Sequence, residues 1–283
     1  NSKNRSRMES VVYFNFQLKI KSTIQLSIKT IQMKISNKIL LVGLASILVS
    51  ILIVMIYGKN QIYNNPLIRI QHNAPDINKT INLADYHSIK ALGDYDIQIT
   101  NGANNLTMEG DSQIISLTKI EVIDSVLVIE PKENITNHSH NSVKIIIHCP
   151  SLRSIEYLGS GNVVMQNEFA ESNVAIKLTG SGDLSTKFNS SHINVDLLGS
   201  GNIINEGSSE SMNINLNGSG DVTCEHTSTK NATVVLMGSG NVRLSVSEQL
   251  NVQLLGSGDV DYIGDPKLST SKMGSGSVNR IEK

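Results

Sequence analysis

Asp183, Asp221 and Asp259 each follow a Gly-Ser-Gly tripeptide in a chain of 283 residues. Carboxylates at a fixed place in a repeat could do two kinds of chemistry. A pair could act as acid and base on a glycosidic bond, in a hydrolase or lyase. Stacked on alternate turns they would stand about 9–10 Å apart, near the upper limit for an inverting hydrolase. Alternatively, they could ligate Ca²⁺, as in the calcium-binding β-roll. That motif is GGxGxD with a nine-residue period, whereas here it is GSGD with a period of 18–21. A catalytic centre is a singular constellation and these aspartates recur, so a structural ladder is expected, with no metal and no cofactor. His138 and His140 form an HSH pair, too few ligands for a closed metal site. His148, His192 and His226 share no offset in the repeat. No nucleophile triad or phosphate-binding loop is present.

The elements that place these aspartates are legible from the repeat. Gly-Ser-Gly begins at Gly159, Gly180, Gly199, Gly218, Gly238, Gly256 and Gly274, at spacings of 21, 19, 19, 20, 18 and 18 residues. Two residues before it stand Tyr157, Leu178, Leu197, Leu216, Leu236, Leu254 and Lys272; four before stand Ile155, Ile176, Val195, Ile214, Val234, Val252 and Thr270. Mostly polar residues separate the two columns, the alternation of a strand with one buried face. Val163, Leu184, Ile203, Val222, Val242, Val260 and Val278 open a second short strand after the corner, and a variable loop follows. One such unit cannot bury its apolar face, but stacked units can. The chain is therefore expected to be all-β: a parallel β-helix or closely related solenoid of about seven coils of 18–21 residues. A short β region over 80–149 should precede it. Polar Lys272 and Thr270 should close the final coil against further strands.

Gly159, Gly161, Gly180, Gly182, Gly199, Gly201, Gly218, Gly220, Gly238, Gly240, Gly256 and Gly258 are expected to shape the corners. After the tripeptide the residue alternates: Asn162, Asp183, Asn202, Asp221, Asn241, Asp259, then Ser277. In-register stacking explains this. Aspartates about 4.8 Å apart would repel, and interleaved Asn separates them and offers an amide donor. Cys149 and Cys224 would lie three coils apart, roughly 14 Å, beyond disulfide reach, so two free, buried thiols are expected.

Residues 39–57, ILLVGLASILVSILIVMIY, carry no charge and would span about 28 Å as a helix, close to a bilayer core. Residues 1–59 hold nine Lys/Arg against Glu9, leaving 24 − 9 = 15 bases and 25 − 1 = 24 acids beyond them. The positive-inside rule puts 1–38 in the cytoplasm as a basic tail, 39–57 in the membrane as an uncleaved signal anchor and the remainder outside. Asn1 opens the chain and Met33 reads as a natural start, so 1–32 are expected to be an over-extended frame. Residues 58–79 read as a linker and 80–280 as the solenoid. The acidic body argues against nucleic acid as partner. Helical periodicity is absent outside the anchor.

The recurring GSG[ND][VLI], the Cys149-Pro150 strand end with Leu152 and Ile155, and the opening DYHSIKALGDYDIQITNGANNLTMEGD resemble the GIN-domain family, described as autotransporter-adhesin heads. The resemblance covers about residues 83–280. It implies a β-helical module of a secreted or envelope protein, a class often without known activity. No translocator barrel is expected after the last repeat. The function expected is non-catalytic: an anchored binding, adhesion-like or scaffold module for a glycan or envelope protein. A carbohydrate-active β-helix enzyme is the alternative.

Overall fold

A computed structural model describes residues 68–69, 74–132, 135–136 and 143–282. The basic tail, the expected anchor at 39–57 and most of the 58–79 linker lie outside the described residues. Among the described residues no helix is long and apolar enough to cross a membrane.

The stack is built from strands that pair parallel and in register, each Gly-Ser-Gly above the last. In order these are β10 (Ser154–Gly159), β11 (Asn162–Met165), β12 (Phe169–Gly180), β13 (Asp183–Gly199), β14 (Asn202–Gly218), β15 (Val222–Gly238), β16 (Val242–Gly256), β17 (Val260–Ile263), β18 (Lys267–Gly274) and β19 (Val278–Arg280). Gly159, Gly180, Gly199, Gly218, Gly238, Gly256 and Gly274 form one column of partners. The two inward columns are buried from Ile155 and Tyr157 through Val252 and Leu254, and so is the column from Val163 to Val260. Each coil places an apolar side chain on its equal in the next, so the interior is a series of like-on-like layers. Burying a Leu, Ile or Val contributes roughly 1.5–3 kcal/mol. In the last coil the whole of β18 is exposed, Lys272 and Thr270 included.

Two layers without the tripeptide continue the stack downward. β3 (Ser88–Leu92) and β4 (Tyr95–Asn101) lie under β10 and β11; β7 (Val126–Pro131) and β9 (Val143–Cys149) lie under β3 and β4, all parallel. Antiparallel partners flank this end: β5 (Asn105–Asp111) joins β9 to β2 (Asp76–Asn82), and β6 (Thr118–Ile123) pairs with β7. A separate parallel pair joins β1 (Ile68–Arg69) and β8 (Ile135–Thr136).

Three expectations need correction. Residues 76–79, read as linker, belong to β2, because Asp76–Asn82 pairs residue for residue with β5. A short helix, α1 (Ser112–Leu117), exists where none was expected. Its six residues are too few to show a period, and its start is fixed by the Asp111 carboxylate, which accepts from the backbone N–H of Gln113 at 2.7 Å and Ile114 at 3.4 Å. The variable loop is, in the middle coils, not a loop. Phe188 to Ser190 pairs with Gly207 to Ser209, and Ser208 Oγ donates to Asn189 Oδ1 at 2.8 Å.

Uneven coil length is absorbed at a bulge. The 20-residue coil holds one residue more than its predecessor between Thr223 and Thr227, and the register shifts there. Asn205, wholly buried opposite the bulge, receives the Thr186 hydroxyl at 2.9 Å and gives its amide to Thr227 Oγ1 at 2.9 Å; that hydroxyl donates back to the Asn205 carbonyl at 2.6 Å. A polar side chain is tolerated in the core because its neighbours satisfy it.

Both cysteines are free and buried, and burial pushes the thiol of Cys149 up to about 11 and that of Cys224 up to about 12. Neither is poised as a thiolate nucleophile.

The corner glycines have two separate reasons. Gly199 adopts φ +134°, which L side chains rarely reach, and a Cβ there would overlap the carbonyl oxygen of Gly180. Gly201 has no such φ, yet its Cβ would overlap the carbonyl of Gly182. Gly199→Val and Gly218→Val should each lower stability by more than about 1 kcal/mol. Thermal melts by circular dichroism would check this, and unchanged midpoints for both would refute the corner assignment.

Candidate functional site

The residues after the corners stack as the alternation requires. Asn162 registers with Asp183, and Asp183 with Asn202. The Asn202 amide donates to Asp183 Oδ1 at 2.8 Å, and Asn202 Oδ1 accepts the backbone N–H of Asp221 at 3.2 Å. Asp221 Oδ1 then accepts the backbone N–H of Asn241 at 2.8 Å and its side-chain amide at 3.0 Å. Asn241 Oδ1 accepts the Asp259 N–H at 3.1 Å. Asp259 ends the row: the Ser277 hydroxyl and backbone N–H both donate to it at 2.7 Å and hold its carboxyl below the usual carboxylate range. From Asp183 to Asp259 each side-chain oxygen thus serves a donor of the next coil, and no two acids of the row are adjacent.

The row begins one coil earlier than the tripeptide marks. Asp96 lies beneath Asn162 and accepts its backbone N–H and its side-chain amide, each at 3.2 Å. The signal was in the sequence: Gly93-Asp94-Tyr95-Asp96-Ile97 has the frame of Gly-Ser-Gly-Asp-Leu, with Ser and the second Gly replaced. Asp94 accepts the Ser160 N–H at 3.1 Å. Tyr157, where later coils carry Leu, reaches into this first corner; its hydroxyl donates to the Gly93 carbonyl at 2.8 Å and accepts the Gly161 N–H at 2.9 Å. Burial pushes that phenol up to about 12, so it remains neutral.

An independent column repeats the logic with whole charges. Lys90, Glu156, Lys177, Asp196 and Asn215 register on successive coils. Glu156 pairs with Lys177 at 2.9 Å and Lys90 at 3.2 Å, which lowers its pKa, the Lys177 hydrogen bond most. Asn215 donates to Asp196 at 2.8 Å.

Beside the aspartate row runs a shallow furrow of about 410 Å³, lined by Asn162, Val164, Asp183, Ser185, Asn202, Ile204, Asp221 and Thr223 among others. A second hollow of about 310 Å³ with Asp96, Gln98 and Lys144 shares Asn162 and Val164 with it. Val164 and Ile204 are 37% and 42% exposed on this wall. The histidines do not join it: the His192 ring is 2.6 Å from Ser211 Oγ, and His226 lies 3.5 Å from Glu225. His138 and His140 lie outside the described residues. Among the described residues, no cluster of three metal-ligating side chains occurs.

The row can be broken at one point. Asn202→Asp would set three carboxylates on successive coils about 4.8 Å apart and remove the amide that Asp183 receives. It should cost roughly 0.5–2 kcal/mol, less in high salt. Protonation relieves the repulsion, so the deficit should shrink as pH falls through about 4–5. Asp221→Asn retains an acceptor at Oδ1 and should be neutral or mildly stabilising. Thermal melts of both variants at two pH values, in low and high salt, would decide; a deficit independent of both would deny the stacking.

The family model described as "Putative auto-transporter adhesin, head GIN domain" matches residues 85–266. No curated protein matches. Solved structures share the fold. A "putative adhesin" from Bacteroides fragilis superposes with TM-score 0.70 at 23% identity, over 76% of this chain and 100% of that one. A "putative lipid binding protein" from Parabacteroides distasonis gives 0.62 at 23%, over 76% and 100%. A "putative adhesin" from Parabacteroides merdae gives 0.64 at 15%, over 75% and 99%. With the matched segment running from the strands below the first corner to the last coils of the stack, the chain belongs to the head GIN domain family.

Proposed function

We propose that this chain is a non-catalytic, adhesion-like binding module, held to a membrane by residues 39–57 with the solenoid outside the cytoplasm. One observation carries the reading. The aspartates most suited to chemistry are committed to the stack: each gives an oxygen to the next coil and is set apart from the next acid by an amide. A hydrolase or lyase instead needs acid and base converging on one bond. What the outer wall offers is a row of similar positions, suited to holding an extended partner by many weak contacts. A glycan or an envelope protein is the class of partner that fits. Family membership supports the same direction.

Two outcomes are expected. Protease added to intact spheroplasts should remove the body, and full protection would refute the topology. The full-length protein, immobilised and given envelope extract and a polysaccharide panel, should retain material unchanged. New reducing ends or unsaturated sugars, lost in Asp183→Asn or Asp221→Asn, would establish an enzyme instead.

A further inference from the structure

The furrow has a period of its own. In coils carrying Asp, the residue two places on can hydrogen-bond: Gln98 after Asp96, Ser185 after Asp183, Thr223 after Asp221. In coils carrying Asn, that residue is apolar: Val164 after Asn162 and Ile204 after Asn202. The register stacks Gln98, Val164, Ser185, Ile204 and Thr223 in one outward column. The two alternations run in phase over five coils and stop at Arg243, which lies 3.9 Å from Glu225 and 3.7 Å from Asp261. The furrow therefore repeats every two coils, about 10 Å.

Resting on the binding role proposed above, we infer that this furrow holds one strand of an extended, uncharged, β-linked glycan, with one disaccharide to each pair of coils. The repeat length is that of a disaccharide in a flat, extended sugar chain. Successive sugars in such a chain face opposite ways, so a two-coil alternation of apolar and polar wall meets each disaccharide in an equivalent setting. Val164 and Ile204 offer methyl groups to the C–H face of a sugar ring. Asp183 and Asp221, both exposed, each place only Oδ1 in the hydrogen bonds of the stack, which leaves Oδ2 to accept sugar hydroxyls. A peptide strand is a poorer occupant: β10 to β16 are paired on both sides, so no strand edge in this wall is open to augmentation. An anionic glycan would meet three carboxylates, Asp96, Asp183 and Asp221, against one cation, Lys144, which stands beside Asp96 at the lower end.

The test uses the full-length protein in detergent micelles and titration calorimetry. The probes are length series of cello-oligosaccharides and chito-oligosaccharides, with oligogalacturonate as the anionic control. The span from the Asp96 coil to the Asp221 coil is four steps, about 19 Å. Affinity should climb to the pentasaccharide, one sugar to each of the five coils, and then level, and the control should bind at least tenfold more weakly. Ile204→Glu should weaken binding at least tenfold. Leu255→Glu, on a side chain equally exposed at 41% but outside the furrow, should not change it. Val164→Glu is a second probe of the same kind, and melting midpoints would show that each variant folds. Length-independent affinity, equal binding of oligogalacturonate, or full affinity in both furrow variants would overturn the inference. Failure to bind any oligosaccharide while still retaining an envelope protein would also overturn it, leaving the binding role intact. Shortening of the sugars would sink both.

Discussion

Everything in this molecule depends on one spacing: each coil must approach the next to the distance of paired strands at every point of its circuit, corners included. In the straight strands that approach is ordinary. At the corners it brings backbone against backbone so closely that a single carbon on Gly199 or Gly201 would overlap a carbonyl of the coil below. The tripeptide therefore recurs because of what lies above and below it, and only in part because of its own torsion angles. The second glycine makes the point, since it needs no unusual φ and is required all the same.

The same spacing decides the outer columns. Parallel, in-register stacking sets each residue on its counterpart, which suits Leu on Leu and penalises Asp on Asp. The chain answers in two ways. In the Lys90 to Asn215 column it alternates sign, and in the corner column it alternates carboxylate with amide. Both keep unlike partners in contact while letting the backbone repeat. A buried version appears at Asn205, where a polar side chain stands in for apolar packing and bridges the coil that carries the extra residue.

Much of this was legible in the sequence because a solenoid turns three-dimensional neighbours into a fixed period. Strand polarity, the inward columns, the corner glycines and the Asn/Asp alternation all follow from lining up seven tripeptides. Where the tripeptide was absent the reading weakened. Asp96 was missed because Tyr95 occupies the second glycine position, a change the first corner accommodates through the Tyr157 hydroxyl. The paired segments around Asn189 and Ser208 read as loop because polar residues there are stabilised by stacking on polar residues, which leaves no apolar alternation to see. The furrow was invisible for a related reason: it is a property of two columns in phase, and each column alone looks like solvent-facing variety.

The alternation also fixes the unit in which such a protein can change its length. Duplicating one coil internally would copy Asp beside Asp or Asn beside Asn, leaving a fault in the row. Duplicating a pair preserves the alternation of carboxylate and amide and extends the outer pattern by one full repeat. The heritable module is thus a hairpin-sized pair of turns, although the backbone repeats at every turn. Lengthening by such pairs would add reach and further copies of the same wall, and the join would carry no like pair in the corner row.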